Sequence, residues 1–171
     1  MRYLAELDAV SVANALTGLA LAPDATLLVL LPAAEAAAVP RFQAACSAQG
    51  RSLVGAIFPE LIVAGDLCRQ GAWLLPLPPG TPTFLIDGLG ADAAPEAARI
   101  AASVRSGLTH FDSPLERPLL ALVFDGLLPH IASMLDELYL LLANRVEYTG
   151  ANSGNESFTP MPCVFDNVKL V

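Results

Sequence analysis

The sequence predicts an α/β domain with a mixed, largely buried sheet, on three observations. Solid apolar runs such as Leu27-Leu28-Val29-Leu30-Leu31 have the character of strands covered on both faces. They alternate with stretches at helical spacing, clearest at Ile131, Met134, Leu135, Leu138 and Leu142. The order strand, helix, strand, loop, antiparallel strand occurs twice, over 27–77 and 119–171, with 78–118 as the link. Identity between the copies is low, so the repeat is one of topology: two β-α-β-β units in a single domain spanning 1–171. Gly55-Ala56 and Gly150-Ala151 fall at matching points in the two copies.

The elements follow in order. Val12, Leu16 and Leu19 space a first helix over 8–20, with Asp8 or Ser11 available as its cap and Pro23-Asp24 after it. A buried strand at 27–31 stops at Pro32. The alanine-rich stretch 33–48 predicts helix, with Pro40 starting or breaking a segment. Strands are predicted at 52–62 and 71–77, and the polar Gly65-Asp66 turn between them predicts antiparallel neighbours. After Pro78-Pro79-Gly80 come a strand at 83–86, a helix over 92–106 and a loop over 107–118. A strand at 119–124 precedes a helix with Pro129 in its first turn. The strand 146–149 opens into a loop at 150–157, and a hairpin-like segment over 163–171 follows. Val168 to Val171 leaves a sheet edge open in this reading, which predicts a fragment of a longer chain.

Composition excludes several functions. The chain has 171 residues, 54% of them hydrophobic and 15% charged, enough for a real core and too little polarity for extended disorder. The longest apolar stretch, 27–39, is interrupted by Pro32 and Glu35 and falls short of the roughly 20 residues a spanning helix needs. The net charge of −8 repels phosphate backbones and anionic membranes, so neither nucleic acid nor membrane is an expected partner. The N-terminus is no secretory signal. Cys46, Cys68 and Cys163 are odd in number and far apart, which predicts a reduced, cytosolic protein without a cysteine zinc site.

The candidate chemistry centres on residues 150–157, Gly-Ala-Asn-Ser-Gly-Asn-Glu-Ser. Gly150 and Gly154 permit close backbone approach, while Asn152, Ser153, Asn155, Glu156 and Ser157 supply donors and acceptors. The loop follows the carboxyl end of a strand, where open α/β sheets place ligands; a solvated turn is the plain alternative. No glycine-rich nucleotide motif, Gly-x-Ser-x-Gly or His-Glu-x-x-His occurs. Asp87 and Asp125 each stand in an apolar-Asp-Gly-Leu context at a strand end, placed to bind a ligand's amine or hydroxyl or to cap the next turn. His110 and His130 have no second ligand nearby in sequence. Cys163 is a nucleophile only with a histidine in reach, and His130 is the candidate within its own repeat; a buried, inert thiol is the alternative.

Several blocks together resemble the FIST N-terminal domain. They are Phe124-Asp125-Gly126-Leu127, the helix to Leu142, Tyr148-Thr149-Gly150-Ala151-Asn152-Ser153-Gly154 with Glu156-Ser157-Phe158, and Pro162-Cys163-Val164-Phe165-Asp166-Asn167. Leu53-Val54-Gly55-Ala56-Ile57-Phe58-Pro59 and Gly71-Ala72-Trp73-Leu74-Leu75 are similar to its first half, and Ile86-Asp87-Gly88-Leu89 to its middle. The family's loop is richer in glycine than Ala151-Asn152-Ser153. The resemblance implies a sensory module of signal-transduction proteins, binding an amino-acid-like or other small ligand and followed by a FIST C-terminal domain, with signalling proteins as partners.

The reading that follows is a non-enzymatic intracellular sensor, without a resident cofactor, binding a small polar metabolite. Its ligand-binding residues are Asp125, Gly150, Asn152, Ser153, Gly154, Glu156, Ser157 and Cys163. A haem-based gas sensor is the alternative, since the resemblance extends to relatives described as haem proteins, and it calls for His110, His130, Tyr148 or Cys163 facing an apolar pocket. An enzyme using Cys163 or Asp125, and a structural interaction module, are further alternatives.

Overall fold

Seven-residue apolar strands joined by helices organise the chain. The computed structural model describes every residue except Pro23 and residues 110–116. Its content is mixed α/β, as the sequence predicts, and it divides into two units, one made of 1–85 with 153–171 and the other of 86–152. Each unit contains one strand–helix–strand stretch of the expected repeat, while the terminal hairpin of the second stretch belongs to the first unit.

The first unit begins with β1 (Arg2–Leu4) and α1 (Ala9–Gly18). Asp8 caps α1, its carboxylate accepting from the N–H groups of Val10 and Ser11 at 2.9 and 3.0 Å. β2 (Thr26–Pro32) leads into a 3-10 turn (Ala33–Ala38) and α2 (Val39–Ala48), where Pro40 sits in the first turn and costs no backbone hydrogen bond. β3 (Ser52–Phe58) follows, then a hairpin of β4 (Leu61–Val63) and β5 (Asp66–Cys68), then β6 (Ala72–Pro76).

β2 and β3 pair in parallel, β6 runs antiparallel to β2, and β1 lies antiparallel on the far side of β6. The predicted strand 52–62 is thus two strands, because Pro59 has no N–H to continue the ladder. Its predicted pairing with 71–77 does not form. β2 takes the central place, with β3 on one side and β6 on the other. Leu27, Val29 and Leu31 are fully buried with Val12, Leu16, Phe42 and Cys46 from α1 and α2, which explains the unbroken apolar run of β2.

The second unit holds α3 (Ala93–Leu108), β7 (Leu119–Asp125), α4 (Ile131–Leu142), a short 3-10 turn (Ala143–Arg145) and β8 (Glu147–Ser153), whose last residue marks the return to the first unit. β7 and β8 form a two-stranded sheet. The Glu147 N–H donates to the Pro118 carbonyl, and Gly150 lies against the Leu122 carbonyl. These two contacts advance together along the chain, as in a parallel pair joined by a helical crossover. Met134, Leu138 and Leu142 of α4 pack with Ala97, Ile100, Ala101 and Val104 of α3 and with Phe124 into a separate core. Covering on both faces holds for β2 and β3, whereas β7 leaves Leu119 and Val123 exposed.

Three local expectations change. Residues 83–86 form no strand, since Pro78, Pro79 and Pro82 deprive this stretch of donors. Residues 150–153 are strand, so the expected loop begins at Gly154. Pro129 lies just ahead of α4, whose N-cap is His130 in the left-handed region at φ 61°.

The chain ends in the expected hairpin. β9 (Val164–Asp166) joins the first sheet antiparallel to β3, and Val171 exchanges backbone hydrogen bonds with Val164 at 2.9 and 3.0 Å. Residues 168–171 therefore turn back onto β9 and pair with it.

Candidate functional site

The carboxyl ends of the parallel pair β2 and β3 are where an open α/β sheet offers unpaired backbone and room for a ligand. Ala33 and Ala34 follow β2 there, and Pro59 follows β3. The stretch after β8 is drawn to the same place. The Gly154 N–H donates to the Ile57 carbonyl at 2.8 Å, and the Ile57 N–H donates to the Cys163 carbonyl at 2.8 Å. Residues 154–163 thus arch over the end of β3. A concavity of about 300 Å³ lies beneath, lined by Ala33, Ala34, Pro59, Arg69, Asn155, Glu156, Ser157 and Met161.

Arg69 is the cation of this site. Its Nε–H donates to Glu60 and an Nη2–H donates to Glu156, each at 2.6 Å. The β4–β5 register pairs Leu61 with Cys68, and one step further places Glu60 opposite Arg69. Glu156 reaches the same guanidinium from a turn 87 residues away in sequence. The hydrogen bond to Glu60 and the charge of Glu156 raise the Arg69 pKa above its ordinary value, so the group is cationic throughout the physiological range.

The turn carrying Glu156 is held by its own side chains. Asn155 donates through Nδ2 to the Thr159 carbonyl at 3.0 Å and accepts from the Thr159 N–H at 3.1 Å. The Ser157 hydroxyl donates to Asn155 Oδ1 at 2.9 Å. Phe158, at φ 51°, points to solvent with 81% of its surface exposed.

The sequence-predicted residues divide between the two units. Glu156 and Ser157 line the concavity, with Asn155 between Gly154 and Glu156. Gly154 anchors the arch through its N–H. Ser153 and Cys163 are brought together beneath it, the Ser153 hydroxyl donating to the Cys163 sulfur at 3.2 Å, but both are buried and neither lines the concavity. Asp125, Gly150 and Asn152 belong to the second unit. Asp125 accepts from the Leu127 N–H at 2.9 Å, the turn-capping arrangement. Gly150 and Asn152 line a second, more apolar concavity of about 340 Å³ with Leu122, Phe124, Leu135 and Tyr148.

Tyr148 thus lines the second concavity, whereas neither histidine candidate lines either one among the described residues. His110 lies outside the described residues. His130 is exposed at the start of α4. The Tyr148 hydroxyl donates to the Ala143 carbonyl at 3.2 Å and its ring lies 5.9 Å from that of Tyr139. Among the described residues, no three His, Cys, Asp or Glu side chains gather as a metal site would require, and no helix is long and apolar enough to cross a membrane.

Arg69 and Glu60 are the residues that sequence reasoning missed. Arg69 is the sole basic residue between Arg51 and Arg99, and a hairpin turning at Ala64-Gly65 sets positions 60 and 69 opposite one another. The first of these facts was available in the sequence, and the register is visible only in the fold. The chain matches no protein-family model, no curated protein and no solved structure.

Proposed function

We propose that this protein is a non-enzymatic sensory domain of intracellular signal transduction, binding an amino-acid-like or other small polar metabolite at the carboxyl ends of β2 and β3. The observation that carries the reading is the Arg69 guanidinium held between Glu60 and Glu156 beside a concavity of about 300 Å³. That volume is at the lower end of small-molecule sites and has room for a small metabolite. A guanidinium offers a planar fork to a carboxylate, and the surrounding carboxylates accept from an ammonium. Ala33, Ala34, Pro59 and Met161 give the apolar remainder of a small ligand somewhere to rest.

Sensing requires that the ligand favour one conformation over another. The turn at 155–159 carries Glu156, and its internal hydrogen bonds let it move as one piece. The burial of Cys163, at 1% exposure, supports binding over nucleophilic catalysis at the same place. A calorimetric and thermal-shift screen of the twenty amino acids and small carboxylates tests the reading. At least one compound is expected to bind the unsubstituted protein and to lose binding in Arg69→Gln. A complete panel without binding overturns it.

A further inference from the structure

We infer that Glu156 makes this site selective for zwitterions over simple carboxylates. The inference rests on the concavity at Arg69 being the ligand site. Arg69, Glu60 and Glu156 together carry a single net negative charge, although the group suited to anchor a carboxylate is the cation at their centre. A ligand that brings only a carboxylate and displaces Glu156 from Nη2 then stands beside two like charges. A ligand that also brings an ammonium returns a partner to the displaced Glu156 and leaves the local charge unchanged.

The two carboxylates differ in how readily they yield. Glu60 is fixed opposite Arg69 by the β4–β5 register, and its side chain is 21% exposed. Glu156 comes from the arching turn and is 56% exposed. An exposed, single-point ion pair holds weakly and is screened by salt, so the Glu156 contact is the one that opens. Its neighbours Asn155 and Ser157 bond within the turn, which leaves the Glu156 carboxylate as the group the turn directs at Arg69.

The test compares L-alanine with propionate, which lacks the amino group, by calorimetry at low ionic strength. The unsubstituted protein is expected to favour alanine by about tenfold, the scale of one lost charge contact. In Glu156→Gln propionate binds more tightly and the alanine-to-propionate ratio falls about fivefold or more. Glu60→Gln, which removes the fixed partner, weakens both ligands together and keeps the ratio. Alanine binding with an unchanged ratio in Glu156→Gln overturns the role of Glu156 alone, as does an equal collapse of the ratio in Glu60→Gln. Failure of every amino acid to bind the unsubstituted protein overturns the ligand-site reading and this inference with it.

Discussion

Gly55 and Gly150 occupy the same place in the two units. Each is the fourth residue of a seven-residue strand that follows a helix, and each faces the carbonyl of the fourth residue of the strand before that helix. A Cβ on Gly55 would lie 2.5 Å from the Val29 oxygen, and one on Gly150 2.2 Å from the Leu122 oxygen. This correspondence gives the topological repeat a physical basis, since both strand pairs approach too closely for a side chain at that point.

Alanine at either position should therefore destabilise the unit that contains it. At Gly55 the Phe165 ring also stands within 2.4 Å of the added atom and would have to move. Overpacking of this kind costs about 1–3 kcal/mol. Urea denaturation of Gly55→Ala and Gly150→Ala checks this, and midpoints equal to the parent's would show that the strands separate freely.

The separate core of the second unit makes a second prediction. Leu138 is fully buried against α3, and Leu138→Ala should cost about 2–5 kcal/mol. Hydrogen exchange read by mass spectrometry should show protection lost across α3 and α4 while β2 and β3 retain theirs. Loss spread evenly through both units would mean that they unfold as one.

Acid should weaken the cap of α1. The Asp8 carboxylate is held below its ordinary range by the Ser11 hydroxyl, then by the N–H groups of Ser11 and Val10. A depressed folded-state pKa adds stability above the unfolded value and loses it as pH falls through the folded one. Melting temperatures of the parent and Asp8→Asn should differ most near neutrality and converge below the ordinary carboxylate range. A gap that stays constant with pH would remove the charge from the explanation.

Cys68 should be the most reactive thiol. The Tyr3 hydroxyl lies 3.3 Å from its sulfur and lowers its pKa, while the Tyr3 hydroxyl itself is pushed up to about 12. Burial pushes Cys46 up to about 11, and Cys163 is enclosed in the core. Iodoacetamide labelling at pH 8 should modify Cys68 first, and Tyr3→Phe should slow that labelling several-fold by reducing the thiolate fraction. Equal rates in the two proteins would show that the hydrogen bond does not govern the thiol.

Much of the fold was legible because single residues announced it. The run of β2 betrayed a buried strand, the spacing from Ile131 to Leu142 betrayed α4, Asp8 was one of two cap candidates for α1, and Pro40 marked a start or break that proved to be a start. Strand order was hidden, since the placing of β6 beside β2 depends on the whole sheet and on no local pattern. The loop at 150–157 was half visible. Its polarity pointed to Glu156 and Ser157, yet the same two glycines fit a strand at Gly150 and an anchor at Gly154. Arg69 escaped notice because a lone arginine acquires meaning only when Glu156, 87 residues later, is brought against it.

The return of β9 to the first sheet bears on how the chain is made. The β3 edge receives its partners from far along the sequence, and the Leu53 N–H bonds the Asn167 side chain across 114 residues. On a ribosome adding residues from the N-terminus, this strand waits while the entire second unit is synthesised, and local contacts within that unit form sooner. The nascent protein thus spends an interval with one edge of β3 unpaired while its other edge is held by β2. In that interval, more than in the finished molecule, it is open to pairing with a neighbouring chain.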